Sequence, residues 1–236
     1  MSRECISVII PSYNHAGTIA LALESVFTQT LLPSEVIVVN DGSTDATAEA
    51  VKPYLDRIEY IEGINQGGNA ARNKGFARST GDYVIFHDAD GIMRPDMLET
   101  LFATLESHPE ASYAYSRFTH EGRHFKSAPF DPELLKRMNF IHTTSLIRRA
   151  HFPGFDPEIK KLQDWDLWLT MLGEDHVGVF VDENLLENLK EPGRAGISKW
   201  MPSFMYKIPW EMLGWMPDAL RKYREAEKVI QEKHGL

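Results

Sequence analysis

The stretch Glu35-Val36-Ile37-Val38-Val39-Asn40-Asp41-Gly42-Ser43-Thr44-Asp45 decides the fold. Val36 to Val39 is a β-branched run, too short for a helix and apolar without alternation, as expected of a strand covered on both faces. Asn40-Asp41-Gly42-Ser43 is strong turn chemistry, and Thr44 or Asp45 is placed to cap a helix over 45–54. The same unit of strand, turn and helix recurs outward in both directions. Upstream, 6–10 reads as a buried strand and 18–30 as a helix with Ile19, Ala22, Leu23, Val26 and Phe27 at helical spacing. Downstream, 58–62 is a third strand. Gly67-Gly68 then breaks the chain before a helix over 69–79 with Ala70, Ala71 and Phe76 on one stripe, Gly81 serves as its stop, and 83–87 is a fourth strand. Pro95 reads as the first residue of a helix marked by Met97, Leu98, Leu101 and Leu105, and 111–118 as a strand. Beyond that the pattern is less regular: a helix over 131–138, a strand over 145–148, a helix over 164–172, a strand over 177–181 and a charged helix over 218–234. Such alternation makes an α/β protein whose sheet is covered by helices.

The chain has 236 residues, 43% hydrophobic and 25% charged, which suits one core with a short extension and excludes disorder. We expect a main domain over 1–198, followed over 199–236 by a Trp/Pro-rich segment and a helix, packed on the domain or used for association, including a homodimer. Trp200, Trp210 and Trp215 stand in that segment with Pro202, Pro209 and Pro217. A net charge of −9 repels a phosphate backbone and argues against nucleic acid as a partner. Cys5 is the single cysteine, so no intramolecular disulfide forms and a reducing, cytoplasmic setting is expected. Apolar runs of four or five residues fall far short of the about 20 that a membrane span needs, and no secretion signal is expected from the first residues.

Ligands of parallel α/β sheets bind beyond the carboxyl ends of the strands. Pro11-Ser12-Tyr13-Asn14, Asp41-Gly42-Ser43 and Asp88-Ala89-Asp90 each follow a strand there, so they should share one rim. Asp88 and Asp90, two apart, can face the same way and offer hard oxygens to Mg²⁺ or Mn²⁺. An isolated pair of this kind more often caps a turn. Asp41 can accept from a base imide, or make the Asx turn its neighbours suggest. Arg72 can meet a diphosphate, or be an exposed helix charge. Asp164, in Gln163-Asp164-Trp165-Asp166-Leu167-Trp168, stands at a helix entrance. There it is a plain N-cap, its pKa lowered by the helix field, or a general base. Asp166 reads as a surface or bracing group, and Trp165 and Trp168 as core, with stacking on an acceptor as the second use. His87 is expected to be packed or hydrogen-bonded, and His142 could line an acceptor pocket. No G-x-G-x-x-G, P-loop, G-x-S-x-G or H-E-x-x-H spacing occurs, so dinucleotide, P-loop, serine-hydrolase and zinc-protease readings have no local support.

Taken together these stretches resemble the family 2 glycosyltransferases with a GT-A fold. Val8-Ile9-Ile10-Pro11-Ser12-Tyr13-Asn14, Ala22-Leu23-Glu24-Ser25-Val26, the 35–45 stretch, Asn69-Ala70-Ala71-Arg72-Asn73, Gly81-Asp82-Tyr83 through Asp90, and 163–168 follow the family's order from about residue 6 to 172. The resemblance implies a mixed, mainly parallel sheet and an inverting transfer of a sugar from a nucleotide-diphosphate donor, a UDP-sugar above all, to a saccharide or lipid-linked acceptor. It places Asp41 on the base, Asp88 and Asp90 on ribose, diphosphate and Mn²⁺ or Mg²⁺, and Asp164 as base. Pro11, Ser12, Tyr13, Asn14, Asp41, Asn69, Arg72, Asp88, Ala89 and Trp165 are the candidate substrate-binding residues. Asn40 replaces a frequent carboxylate, Gln163 a frequent glutamate, and no histidine follows Val181 as a third metal contact before Ser198. Lys190, Arg194 or Lys199 could instead close over the diphosphate. The absence of a Q-x-x-R-W motif and of a spanning helix points to a non-processive enzyme of polysaccharide or glycolipid assembly, cytoplasmic or peripheral at the inner face of the membrane. The alternative is a catalytically silent domain of the same fold that binds a nucleotide sugar or a partner. A nucleotidyltransferase is disfavoured because Ser12-Tyr13-Asn14-His15 stands where a Gly-rich phosphate loop would be needed.

Overall fold

A computed structural model describes residues 5–120, 122–189, 208, 210 and 216–236. Nine strands among these form one sheet: β1 (Ile6–Ser12), β2 (Glu35–Asn40), β3 (Glu59–Glu62), β4 (Tyr83–Phe86), β5 (Gly91–Met93), β6 (Ala111–His120), β7 (Arg123–His124), β8 (Leu146–Arg148) and β9 (Val177–Asn188). The order is β3-β2-β1-β4-β8-β6-β9-β5, with β7 added to β6. The first four strands are parallel to one another, β8 runs against β4 and β6, and β9 runs parallel to β6, so the sheet is mixed and mainly parallel.

Helices α1 (Ile19–Phe27), α2 (Thr47–Val51), α3 (Gly68–Arg78), α4 (Met97–Ser107), α5 (Pro132–Arg137), α6 (Gln163–Gly173) and α7 (Asp218–His234) cover the two faces. Alternation along β1 divides its side chains: Val8 and Ile10 enter one core with Leu23, Leu98 and Leu101, while Ile9 enters a second with Phe86, Tyr113 and Trp168. Trp168 stacks on Tyr113 with ring centroids 4.5 Å apart. At the other end of the chain, α7 is tied to α6 through Asp166, whose carboxylate accepts from Lys233 and lies 2.8 Å from His234 Nε2. Asp166 is thus a brace between helices. Among the described residues no helix is long and apolar enough to cross a membrane.

Several boundaries differ from the sequence expectation, each for a local reason. α2 starts at Thr47, because the Asp45 carboxylate is taken by the Thr47 N–H and by the Ala16 N–H of the neighbouring loop. Pro95 lies before the α4 N-cap, Asp96, rather than in the first turn. Gly81 is not the left-handed stop of α3. A Cβ there would come within 2.5 Å of Ser7 Oγ, so the glycine permits close strand approach. The short strands β5 and β7 and the full length of β9 were not expected. The proposed boundary at 198/199, and with it Trp200 and Trp215, lies outside the described residues; Trp210 is buried.

Candidate functional site

The β1–β4 ladder ends at Ile9 and Phe86, whereas the β1–β2 ladder continues to Ser12 and Asn40. Pro11, which has no N–H to give, therefore sits past the end of the β4 ladder, where a central strand tolerates it. The chain crosses from the β2 side of β1 to the β4 side between β3 and β4, so this gap is the topological switch point of the sheet. Pro11 and Ser12 belong to the strand and are buried, which leaves Tyr13 and Asn14 to form the turn. Asn14 adopts φ 56° and accepts from Thr44 N–H at 2.7 Å, while its own N–H donates to Ser43 Oγ at 2.9 Å. Its side chain thus locks the first rim loop to the second.

Asp41 opens the loop after β2. Its two carboxylate oxygens accept from the Gln66 and Gly67 N–H groups at 2.9 and 2.8 Å, drawing the segment before α3 over the strand end. Each oxygen keeps a second lone pair for another donor. Gly42, at φ 72°, passes so close to this segment that a Cβ would lie 2.7 Å from Asn65 N. Asn40 spends its amide on Tyr60 Oη and the Ser43 N–H, which explains how the site tolerates an amide there. Between these parts and α3 lies a cavity of about 220 Å³, with Asp41, Ile64, Gln66, Ala70 and Lys74 among its walls.

Helix α3 presents three polar side chains toward the second half of the chain. Asn69 donates to the Asp156 and Ile159 carbonyls, and Asn73 exchanges hydrogen bonds with both backbone groups of Phe155. These asparagines are braces for the loop that leads to α6, and Asn69 is not aimed at a ligand by its amide nitrogen. Their spacing of four on one helix was the signal available in the sequence. Arg72, 6% exposed, donates through Nη2 to Asp88 Oδ1 at 2.7 Å, and its Nε and Nη1 find no partner among the described residues. It is therefore not an exposed helix charge. Buried donors of this kind call for an acceptor.

Asp88 and Asp90 follow β4, with Ala89 buried between them. Burial would raise the Asp88 carboxyl, but the charge and hydrogen bond of Arg72 hold it below the usual carboxylate range. The Leu189 N–H donates to Asp90 O at 2.8 Å, and β5 pairs with β9 from Gly91 and Asn188 onward, so the end of β9 is drawn to the carboxylate pair. His87 is fully buried, neither ring nitrogen makes a well-formed hydrogen bond among the described residues, and burial lowers its pKa to about 4. It is packed, and Gly91 lies against it. His142 is part of the rim, its Nε2 3.9 Å from Asp88 Oδ2, and burial also lowers its pKa to about 4.

Asp164 is the second residue of α6, after a left-handed Leu162 at the N-cap, and accepts from the Trp165 N–H at 2.9 Å. Burial raises its pKa to about 6, with that hydrogen bond and the Arg72 charge opposing and the Asp88 charge adding. This reverses the lowering expected from the helix field: desolvation outweighs the dipole here. Trp165 is corrected as a candidate acceptor contact. It is 1% exposed, and its Nε1 donates to Leu135 O inside the core. Lys190, Arg194 and Lys199 lie outside the described residues. Among the described residues no cluster of three or more His, Cys, Asp or Glu offers a complete metal cage.

One rim thus carries an acceptor over a cavity, a buried arginine with open donors, an ionised carboxylate and a carboxyl poised near neutral pH. Residues 7–156, more than half of the chain, match the model of the family described as Glycosyl transferase family 2. The chain belongs to family 2 of the glycosyltransferases. Its sheet and helices are those of the GT-A enzymes of that family. EpsE of Bacillus subtilis strain 168, named as a glycosyltransferase, is 30% identical over 98% of this chain and 96% of its own. Glycosyltransferase GlyA of Streptococcus pneumoniae serotype 4 is 45% identical over 41% of this chain. This family 2 chain spans only 14% of the length of GlyA. Among solved structures, S. aureus TarS 1–349 in complex with UDP superposes with a TM-score of 0.69 at 22% identity, over 80% of this chain and 61% of that one. Glucosyl-3-phosphoglycerate synthase from Mycobacterium tuberculosis, in complex with Mn²⁺, UDP and glucosyl-3-phosphoglycerate, gives 0.60 at 16% identity, over 80% and 73%. At such identities the likeness is one of fold.

Proposed function

We propose that this family 2 glycosyltransferase moves a sugar from a nucleoside-diphosphate donor, UDP above the others, to a hydroxyl of a saccharide or lipid-linked acceptor, with inversion and one residue at a time. The observation that carries the reading is the difference between two carboxyls on one rim: Asp88 held ionised and Asp164 raised to about 6. Two carboxyls driven apart in this way divide the labour of charge stabilisation and proton abstraction. Asp41 stands ready to accept from the base in the cavity, as Lys74 does to meet its polar edge. Arg72, with two buried open donors, suits phosphate oxygens. Asp164, accepting the acceptor proton, works best close to its own pKa.

Asp88 and Asp90 fit a divalent ion of the Mn²⁺ or Mg²⁺ type, because such ions take one or two carboxylates and complete their shell with substrate phosphate and water. When bound, the ion would stabilise the negative charge that grows on the departing diphosphate. The Mn²⁺ and UDP held by the mycobacterial synthase, and the UDP held by TarS, support the same ligands here. A place in polysaccharide or glycolipid assembly, in the cytoplasm or against the inner face of a membrane, belongs to this proposal, as does association through the 199–236 segment. Melting of the protein with UDP, GDP, dTDP and CMP, with and without Mn²⁺, tests it, since a ligand of the native state raises the melting temperature. UDP should give the largest shift, and only with the ion. No shift from any of the four would favour a domain that binds no donor.

A further inference from the structure

His142 faces Asp88 from the segment before β8 with both ring nitrogens engaged. The Thr144 N–H donates to Nδ1 at 3.0 Å, and a backbone N–H can only donate. Nδ1 therefore carries a lone pair. That excludes the imidazolium and puts the ring's one proton on Nε2. Turning the ring over would set carbon atoms against both partners, so its orientation is fixed as well. Nε2–H meets the Asn188 amide at 2.9 Å, where the assigned Nδ2 would oppose one donor to another, while Asn188 Oδ1 is buried with no partner among the described residues. Exchanging the amide oxygen and nitrogen removes both faults, and Nε2–H then donates to Oδ1. The same N–H lies beside Asp88, with Nε2 3.9 Å from Oδ2.

Asn188 closes β9 opposite Gly91, and the next residue donates to Asp90 O. The His142–Asn188 bond thereby joins the segment before β8 to the strand end that holds the Asp88-Ala89-Asp90 loop. We propose that His142 is a positioning residue, a hydrogen-bond donor through Nε2–H and not a ligand of the divalent ion, and that with Asn188 it fixes the carboxylate pair for donor binding. This rests on the reading of Asp88 and Asp90 as the donor site. A protonated Nε2 has no lone pair for a metal, and freeing one would move the proton to Nδ1 and break the Thr144 bond.

Nitrogen NMR of protein labelled with ¹⁵N-histidine reads the tautomer directly, first alone and then with Mg²⁺ and UDP. The Nε2–H form should be present in both. An Nδ1–H form, or loss of the Nε2 proton when Mg²⁺ and UDP are added, overturns the proposal. Calorimetry of Mg²⁺–UDP binding then compares H142N, whose amide reaches the place of Nδ1, with H142Q, which reaches that of Nε2. H142N should weaken binding about 10- to 100-fold, the usual cost of losing a partner of a metal ligand, and H142Q should recover most of it. Equal affinity of wild type and H142N overturns the positioning role, as does H142Q binding no better than H142N. Wild-type protein that shows the Nε2–H signal yet binds no nucleotide overturns the donor site instead, so the two failures are read apart.

Discussion

Replacing His87 with leucine removes a titration that the fold suppresses. The ring is fully buried, without a well-formed hydrogen bond among the described residues, and its pKa falls from 6.5 to about 4. As pH drops through 6.5 the unfolded chain takes up a proton at this site that the folded chain refuses until about 4, so the unfolded state binds more protons and stability declines with falling pH. A gap of about 2.5 between the two values, at about 1.36 kcal/mol for each whole unit, amounts to about 3 kcal/mol. About 2 kcal/mol of it is already lost at a pH of about 5. Urea unfolding of wild type and H87L, in EDTA and at a pH of about 7.5 and about 5, measures it. Any packing cost of leucine is common to both conditions and cancels. On acidification wild type should lose about 2 kcal/mol more than H87L. Parallel losses, within about 0.5 kcal/mol, would refute the argument.

Four further outcomes follow from the rim and its supports. Asp164→Asn should leave UDP affinity nearly intact and lower turnover about 100-fold or more; turnover equal to wild type removes the base assignment. Because this base must be ionised to act, the wild-type rate should fall as pH drops below about 6, and a rate level down to about pH 5 would contradict the raised pKa. Asp90→Ala should abolish the Mn²⁺-dependent part of UDP binding in calorimetry, and an unchanged Mn²⁺ dependence would clear Asp90 of a role at the ion. Asp166→Ala frees His234 and leaves Lys233 with Asp156 as its remaining carboxylate, so chemical unfolding should show a loss of about 1–3 kcal/mol and hydrogen exchange should quicken first in α7; equal exchange in α7 would show that the helix is held without Asp166.

The first half of the sheet was legible because its strands are buried on both faces and its turns are spelled by Asn, Asp and Gly. β5 and β7 were not, since three and two residues carry no period. β9 was read to Val181 and continues to Asn188 because a register shift against β6, between Ser116 and Arg117, absorbs the polar residues that end the apolar run. At the site, Asp41 and Asp88 could be placed on one rim from their positions after strands, whereas Arg72 and Asp164 joined them only through the family resemblance. What residue types could not reveal is which side chains the scaffold consumes. Asn14, Asn40, Asn69 and Asn73 look like ligand-binding amides in a sequence, yet Asn14, Asn40 and Asn73 are engaged by backbone groups or a tyrosine hydroxyl, and Asn69 gives its amide nitrogen to two backbone carbonyls. The sign of the Asp164 pKa depends on burial, which no local pattern encodes.

Helix α3 walls the cavity with Ala70 and Lys74, grips Asp88 through Arg72, and fastens the loop before α6 through Asn69 and Asn73. A single rigid rod therefore joins the place where a base would be recognised to the place where an acceptor would be activated. On the proposed reading, donor choice and turnover would then be inherited as one trait. Residue changes that reshape the cavity wall to admit a different nucleotide would carry the arginine and the asparagines with them, and would retune the rate in the same stroke.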